Sequence, residues 1–133
     1  MAWIQENLMM VLTMALIAWI VWGKVVKPKM AGVKSMSAAD FKALKDKSYT
    51  LVDVRTVGEW KSGKAAGAIH IPLHEVKQRL NEVPKDKPVI CICASGMRSL
   101  SAASAFGQAG YKTVYNFSGG MGSWMAANLP TKR

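Results

Sequence analysis

Cys93 ends an apolar run and is followed by Ala94, Ser95, Gly96, Met97, Arg98 and Ser99, within the stretch "VICICASGMRSLSAASA" at residues 89–105. A cysteine attacks as its thiolate, so the environment of the sulfur decides whether it can do chemistry. If residues 89–93 form a buried strand and a helix opens near Arg98 or Ser99, the intervening backbone N–H groups face the sulfur together with the positive end of the helix dipole. Both favour the thiolate. Gly96 permits the tight turn, and Arg98 adds a fixed positive charge. The spacing describes an anion-accepting cradle over a nucleophilic sulfur. Cys91 lies mid-strand, where free cysteine usually serves as a small buried apolar residue.

Other chemistries find less support. Cys91 and Cys93, the only cysteines, are too close to close a stabilising loop, and no cluster of histidines or further cysteines completes a metal site. His70 and His74 fall inside a strand and at the start of a helical pattern, where histidine is commonly packed or solvated. A thiol of lowered pKa needs no base from them. The net charge of +10 comes from basic residues scattered along the chain. Without an arginine-rich tract or interleaved aromatics, it argues against nucleic acid and for a surface that attracts anionic substrates or lies near lipid headgroups.

These residues must be positioned by alternating elements. "YTLVDV" reads as a strand ending at Asp53, "AIHIP" as one stopped by Pro72, "PVICIC" as one stopped at Cys93, and "KTVYNF" as one before Gly119 and Gly120. Helical patterns lie between. "SMSAADFKALKDK" opens with Ser37 as a cap and Asp40 three residues on. "LHEVKQRLNEV" puts Val76, Leu80 and Val83 on one face, and "SLSAASAFGQAG" runs to a stop at Gly110. Such alternation predicts an α/β domain with a parallel central sheet and helices on both faces. Sites in such sheets lie beyond the carboxyl ends of the strands, where Asp53, Cys93 and Ser118 all fall.

The N-terminal quarter differs. Seventeen uncharged residues, "NLMMVLTMALIAWIVWG", separate Glu6 from Lys24, with Trp3, Trp19 and Trp22 in or beside them. The length and the tryptophans predict one transmembrane helix within residues 1–23. Residues 24–34, with Pro28 and Gly32 among lysines, read as a basic linker to a domain at 35–133. Lys24, Lys27 and Lys29 predict a single-pass inner-membrane protein with its N-terminus outside and its domain in the cytoplasm, the lipid bilayer and a membrane protein being partners.

Four separated motifs, "DVRTVGEW" (53–60), "GKAAGAIHIP" (63–72), "CASGMRS" (93–99) and "GYKTVYNFSGGMGSW" (110–124), resemble the rhodanese family, here in a membrane-anchored form. The resemblance implies a thiosulfate sulfurtransferase-like enzyme needing no cofactor. Cys93 would carry sulfane sulfur as a persulfide, from thiosulfate or another sulfane-sulfur donor to a thiol or cyanide acceptor. It implies that Ala94, Ser95, Gly96, Met97, Arg98 and Ser99 bind the substrate, and that Asp53, Arg55 and Glu59 brace neighbouring loops. The chain departs from the family pattern at Lys64-Ala65 and at His70, positions that are usually structural.

Two alternatives stand beside this reading. A rhodanese-like domain can serve as a membrane-tethered binding module, and a related group of phosphatases and arsenate reductases uses a similar loop with one more residue. Here four residues separate Cys93 from Arg98, which favours sulfur over a tetrahedral oxyanion.

Overall fold

The computed structural model describes residues 2–22, 24, 32–45 and 48–133. Most of the linker assigned to 24–34, including Lys27, Pro28 and Lys29, lies outside the described residues.

Five strands form one sheet in the order β1 (Val33–Met36), β6 (Val114–Phe117), β5 (Val89–Ile92), β2 (Thr50–Asp53), β4 (Ile69–His70), and every pairing is parallel. A second, antiparallel pair joins β3 (Lys64–Ala65) to β7 (Thr131–Lys132). The central strand shows why residues 89–93 are continuously apolar. Alternate side chains enter opposite faces, and both faces are covered. Val89, Cys91 and Cys93 enter one core with Val52, Ala102, Ala103 and Phe106. Ile90 and Ile92 enter the other with Phe41, Phe117 and Trp124.

Helix α5 (Met97–Gln108) buries Ala102, Ala103 and Phe106 against the first face. The opposite face is covered by α3 (Ala38–Lys42) and α6 (Gly120–Ala126), with Phe41 and Trp124 rings 4.8 Å apart. Ser37 caps α3 in a reciprocal box with Asp40, which satisfies two backbone donors of the first turn. Helix α4 (Val57–Ser62) carries the same box between Thr56 and Glu59.

The helical pattern at 73–83 resolves into two 3-10 segments, Leu73–Gln78 and Leu80–Glu82. Its apolar face is kept, since Val76 and Val83 are buried. The Tyr111 hydroxyl lies 2.6 Å from the Leu80 carbonyl and 2.5 Å from that of Val83, so a tertiary donor supports the tighter turns. Val33 and Lys34 pair with Val114 and Tyr115, so the sheet takes in residues assigned to the linker.

The transmembrane expectation is overturned. The apolar N-terminal stretch forms α1 (Ala2–Glu6) and α2 (Leu8–Val21), and among the described residues no helix is long and apolar enough to cross a membrane. The 14 residues of α2 rise about 21 Å, short of the roughly 30 Å hydrocarbon core. The inner-membrane placement falls with it, and nothing among the described residues supports the lipid bilayer or a membrane protein as partners.

Candidate functional site

Cys93 follows directly on β5 and is buried, with no measurable exposure. The chain turns through Ala94, the exposed Ser95 and Gly96 before α5 begins at Met97. Gly96 has φ +94, a left-handed conformation that a Cβ would strain. That turn points the Gly96 N–H at the sulfur, 3.0 Å from Sγ, and the Ser99 hydroxyl lies 3.4 Å from it. A sulfur approached by donors from the first turn of a helix is the geometry of a stabilised thiolate.

The electrostatics agree. Burial raises the thiol pKa, but the Ser99 hydroxyl and the backbone N–H groups of Ser99, Ser95 and Gly96 outweigh it, and the net shift is downward. Cys91, two residues earlier in the same core, is shifted up by burial and by the neighbouring Cys93 sulfur. The two thiols are thus separated by their surroundings: one favours the thiolate and the other stays protonated.

The loop rests on a second glycine turn. The Cys93 carbonyl accepts from Met121 N–H at 2.7 Å and the Ala94 carbonyl from Gly122 N–H at 3.4 Å. This approach is close because Gly120 has no side chain. A Cβ there would lie 2.3 Å from the Cys93 carbonyl oxygen and 2.6 Å from the Ala94 carbonyl carbon. The sequence marks Gly119-Gly120 as following a strand and as part of the motif at 110–124, without this close approach; a glycine pair one residue past a strand end was the available signal.

Arg98 forms a two-point ion pair with Glu59, whose carboxylate also caps α4. The guanidinium is therefore committed to bracing the loop against α4, beside its contribution of positive charge. Asp53, at the end of β2 beside Ile92, forms a buried pair with Arg55. Arg55 Nε is 3.0 and 2.9 Å from the two Asp53 oxygens, and its Nη2 donates to the Gly63 carbonyl. Met97 is exposed and Ser99 buried, on opposite sides of the first turn of α5.

Ser118 holds the sheet edge through its N–H to the Met36 carbonyl. His70 sits 2.8 Å from the Arg55 carbonyl and stacks on Trp60, while His74 is largely exposed beside Glu75. Among the described residues neither histidine hydrogen-bonds to the thiol. A cavity of about 390 Å³ opens beside the loop, lined by Arg55, Thr56, Val57, Pro72, Leu73 and Arg98 among others. Asn116 on β6, which sequence reasoning did not single out, accepts from Ser99 and donates to the Gly96 carbonyl. Among the described residues no group of three or more His, Cys, Asp and Glu is placed to hold a metal ion.

Comparisons with known proteins identify the family. The family model described as rhodanese-like domain matches residues 37–127. A protein of Allochromatium vinosum named sulfurtransferase is 40% identical over 80 residues, covering 60% of this chain and 75% of that protein. A thiosulfate sulfurtransferase of Pseudomonas syringae is 30% identical over 95 residues, covering 71% of this chain and 90% of that one. The crystal structure of a rhodanese-related protein from Thermoplasma volcanium matches with a TM-score of 0.67 at 34% identity, over 74% of this chain and 97% of that chain. The chain belongs to the rhodanese-like family.

Proposed function

We propose that this member of the rhodanese-like family is a sulfurtransferase that carries sulfane sulfur as a persulfide on Cys93. The observation that carries the reading is the convergence of the Gly96 N–H and the Ser99 hydroxyl on a buried sulfur whose ionised form they favour. Relatives bearing the names sulfurtransferase and thiosulfate sulfurtransferase support the reaction class, with thiosulfate a first donor to try.

In the first half-reaction the Cys93 thiolate attacks the outer sulfur of thiosulfate. An Sγ–S bond forms, the S–S bond of thiosulfate breaks, and sulfite leaves with the electron pair. The outer sulfur then bears the negative charge, inside the ring of N–H groups from Ala94 to Ser99. In the second half-reaction cyanide or an acceptor thiolate attacks that outer sulfur and Cys93 leaves as the thiolate. No net oxidation of the protein occurs over the cycle.

Arg98 contributes positive charge to the loop and Glu59 fixes its position. Asp53 and Arg55 hold the neighbouring backbone and take no part in bond making. The four-residue interval between Cys93 and Arg98 supports sulfur chemistry over phosphate.

The test is transfer from thiosulfate to cyanide by the full chain, with Cys93→Ser and Cys91→Ser as variants. The reading expects background rates for the first and near-normal rates for the second. Equal loss in both would overturn it, and Cys93-dependent hydrolysis of an aryl phosphate in place of transfer would put a phosphatase in its stead.

A further inference from the structure

Ser99 has one hydroxyl hydrogen and two neighbours placed to receive it. Its Oγ lies 2.5 Å from Asn116 Oδ1 and 3.4 Å from Cys93 Sγ. The orientation of the Asn116 amide follows from its other end. Nδ2 donates to the Gly96 carbonyl at 3.1 Å, and a carbonyl can only accept, so Oδ1 must face Ser99. Oδ1 also can only accept. With a neutral thiol, the Ser99 hydrogen therefore points at Asn116 and a lone pair faces the sulfur, which suits an S–H group donating to it.

A thiolate has no hydrogen to give and needs the hydroxyl hydrogen for itself. To supply it, Ser99 must turn its hydrogen from Asn116 to the sulfur, leaving two oxygen lone pairs opposed across 2.5 Å. We propose that Asn116 is a positioning residue that acts on Cys93 through Ser99, its amide competing with the sulfur for the single hydroxyl hydrogen. One consequence rests on the persulfide reading. Once Sγ is bonded to a second sulfur the negative charge sits on the outer atom, Sγ is neutral, and the Ser99 hydrogen returns to Asn116. The neutral thiol and the loaded persulfide then share the Ser99 to Asn116 hydrogen bond, and only the free thiolate breaks it.

The other charged or titratable groups around the sulfur do not explain such an effect. Arg98 on α5 is paired with Glu59 of α4, Asp53 on β2 is paired with Arg55, and Cys91 lies in the core on β5. None of these side chains hydrogen-bonds to Ser99 or Asn116 among the described residues. The same amide does hold the Gly96 carbonyl, so a variant at 116 can also loosen the loop. A double-mutant cycle separates the two effects.

The experiment is the pH profile of Cys93 alkylation by iodoacetamide in the full chain, for wild type, Asn116→Ala, Ser99→Ala and the double variant, with circular dichroism to confirm folding. Asn116→Ala should move the profile to lower pH, making alkylation below the midpoint about three- to tenfold faster. Ser99→Ala should move it to higher pH, and Asn116→Ala should add nothing in the Ser99→Ala background. An unchanged or raised midpoint in Asn116→Ala, no rise in Ser99→Ala, or the same shift at 116 in both backgrounds overturns the proposal. If Asn116→Ala does not fold, Asn116→Asp takes its place. A carboxylate holds the Ser99 hydrogen more tightly, so its rise in midpoint must be larger with Ser99 than with Ala at that position, and equal rises overturn the proposal. Alkylation needs no sulfur donor, so this outcome is independent of whether Cys93 carries sulfane sulfur.

Discussion

Arg98 and Glu59, 39 residues apart in sequence, meet with Nη1 2.7 Å from Oε1 and Nη2 2.9 Å from Oε2. Glu59 Oε1 also accepts from the Thr56 N–H at 3.0 Å. One carboxylate thus closes the N-terminus of α4 and fixes the first turn of α5, joining the loop after β2 to the loop that holds Cys93.

That joint makes a pH-dependent contribution. Hydrogen bonding to Arg98, partly opposed by desolvation and aided by Thr56, lowers the Glu59 carboxyl to about 2. The folded pKa lies below the unfolded one, so the stabilisation is present above the ordinary carboxylate range and is lost as pH falls toward about 2. Both side chains are about one-third exposed, which limits the effect to on the order of 1 kcal/mol. Glu59→Gln should melt below wild type at pH 7, with the gap closing as pH is lowered from about 4.5 to about 2. A gap that persists unchanged across that range would contradict the assignment.

Gly120→Ala should be destabilising and should damage the site together. The added methyl meets backbone of Cys93 and Ala94, which cannot swing aside as a side chain can. A loss of about 1–3 kcal/mol is expected from such overpacking. Denaturant melts give that number, and transfer assays on the fraction still folded should show reduced rates. Gly122→Ala is the control, since nothing lies within 4 Å of its Cβ position.

Asp53→Asn tests the bracing role. Asp53 is wholly buried against Arg55, and removing one partner of a buried pair leaves an uncompensated charge, at a cost of about 3–5 kcal/mol. Thermal stability should fall far more than the transfer rate per folded molecule at low temperature. A normal melting temperature with lost activity would place Asp53 in the chemistry instead.

The two thiols should differ in reactivity. Near pH 7, limited iodoacetamide should label Cys93 and spare Cys91, whose thiol burial pushes up. Peptide mapping reads this directly, with Cys91 labelled only after unfolding. Comparable labelling of both in the folded chain would contradict the separation of their environments.

Much of this was legible in the sequence because it depended on local patterns. The strand ends at Asp53 and near Cys93, the Ser37 cap and the start of α5 follow from apolar runs, capping residues and glycine. What was not legible depended on tertiary partners. The helical period at 73–83 marked the buried face but not the 3-10 turns that Tyr111 supports. Asn116 looked like one polar residue in a strand, since its partners Ser99 and Gly96 lie in another element. The apolar N-terminal run satisfied a membrane rule by composition, yet its helix breaks between Glu6 and Leu8 and leaves too short a segment.

The most direct measurement is intact-mass spectrometry of the full chain after incubation with thiosulfate, with the adduct mapped by peptide. The account predicts the gain of one sulfur, located on Cys93, absent in Cys93→Ser and removed by a reducing agent. A folded chain that gains no sulfur from any of several sulfane donors, or gains it on Cys91, would contradict the assignment of Cys93 as the sulfur carrier.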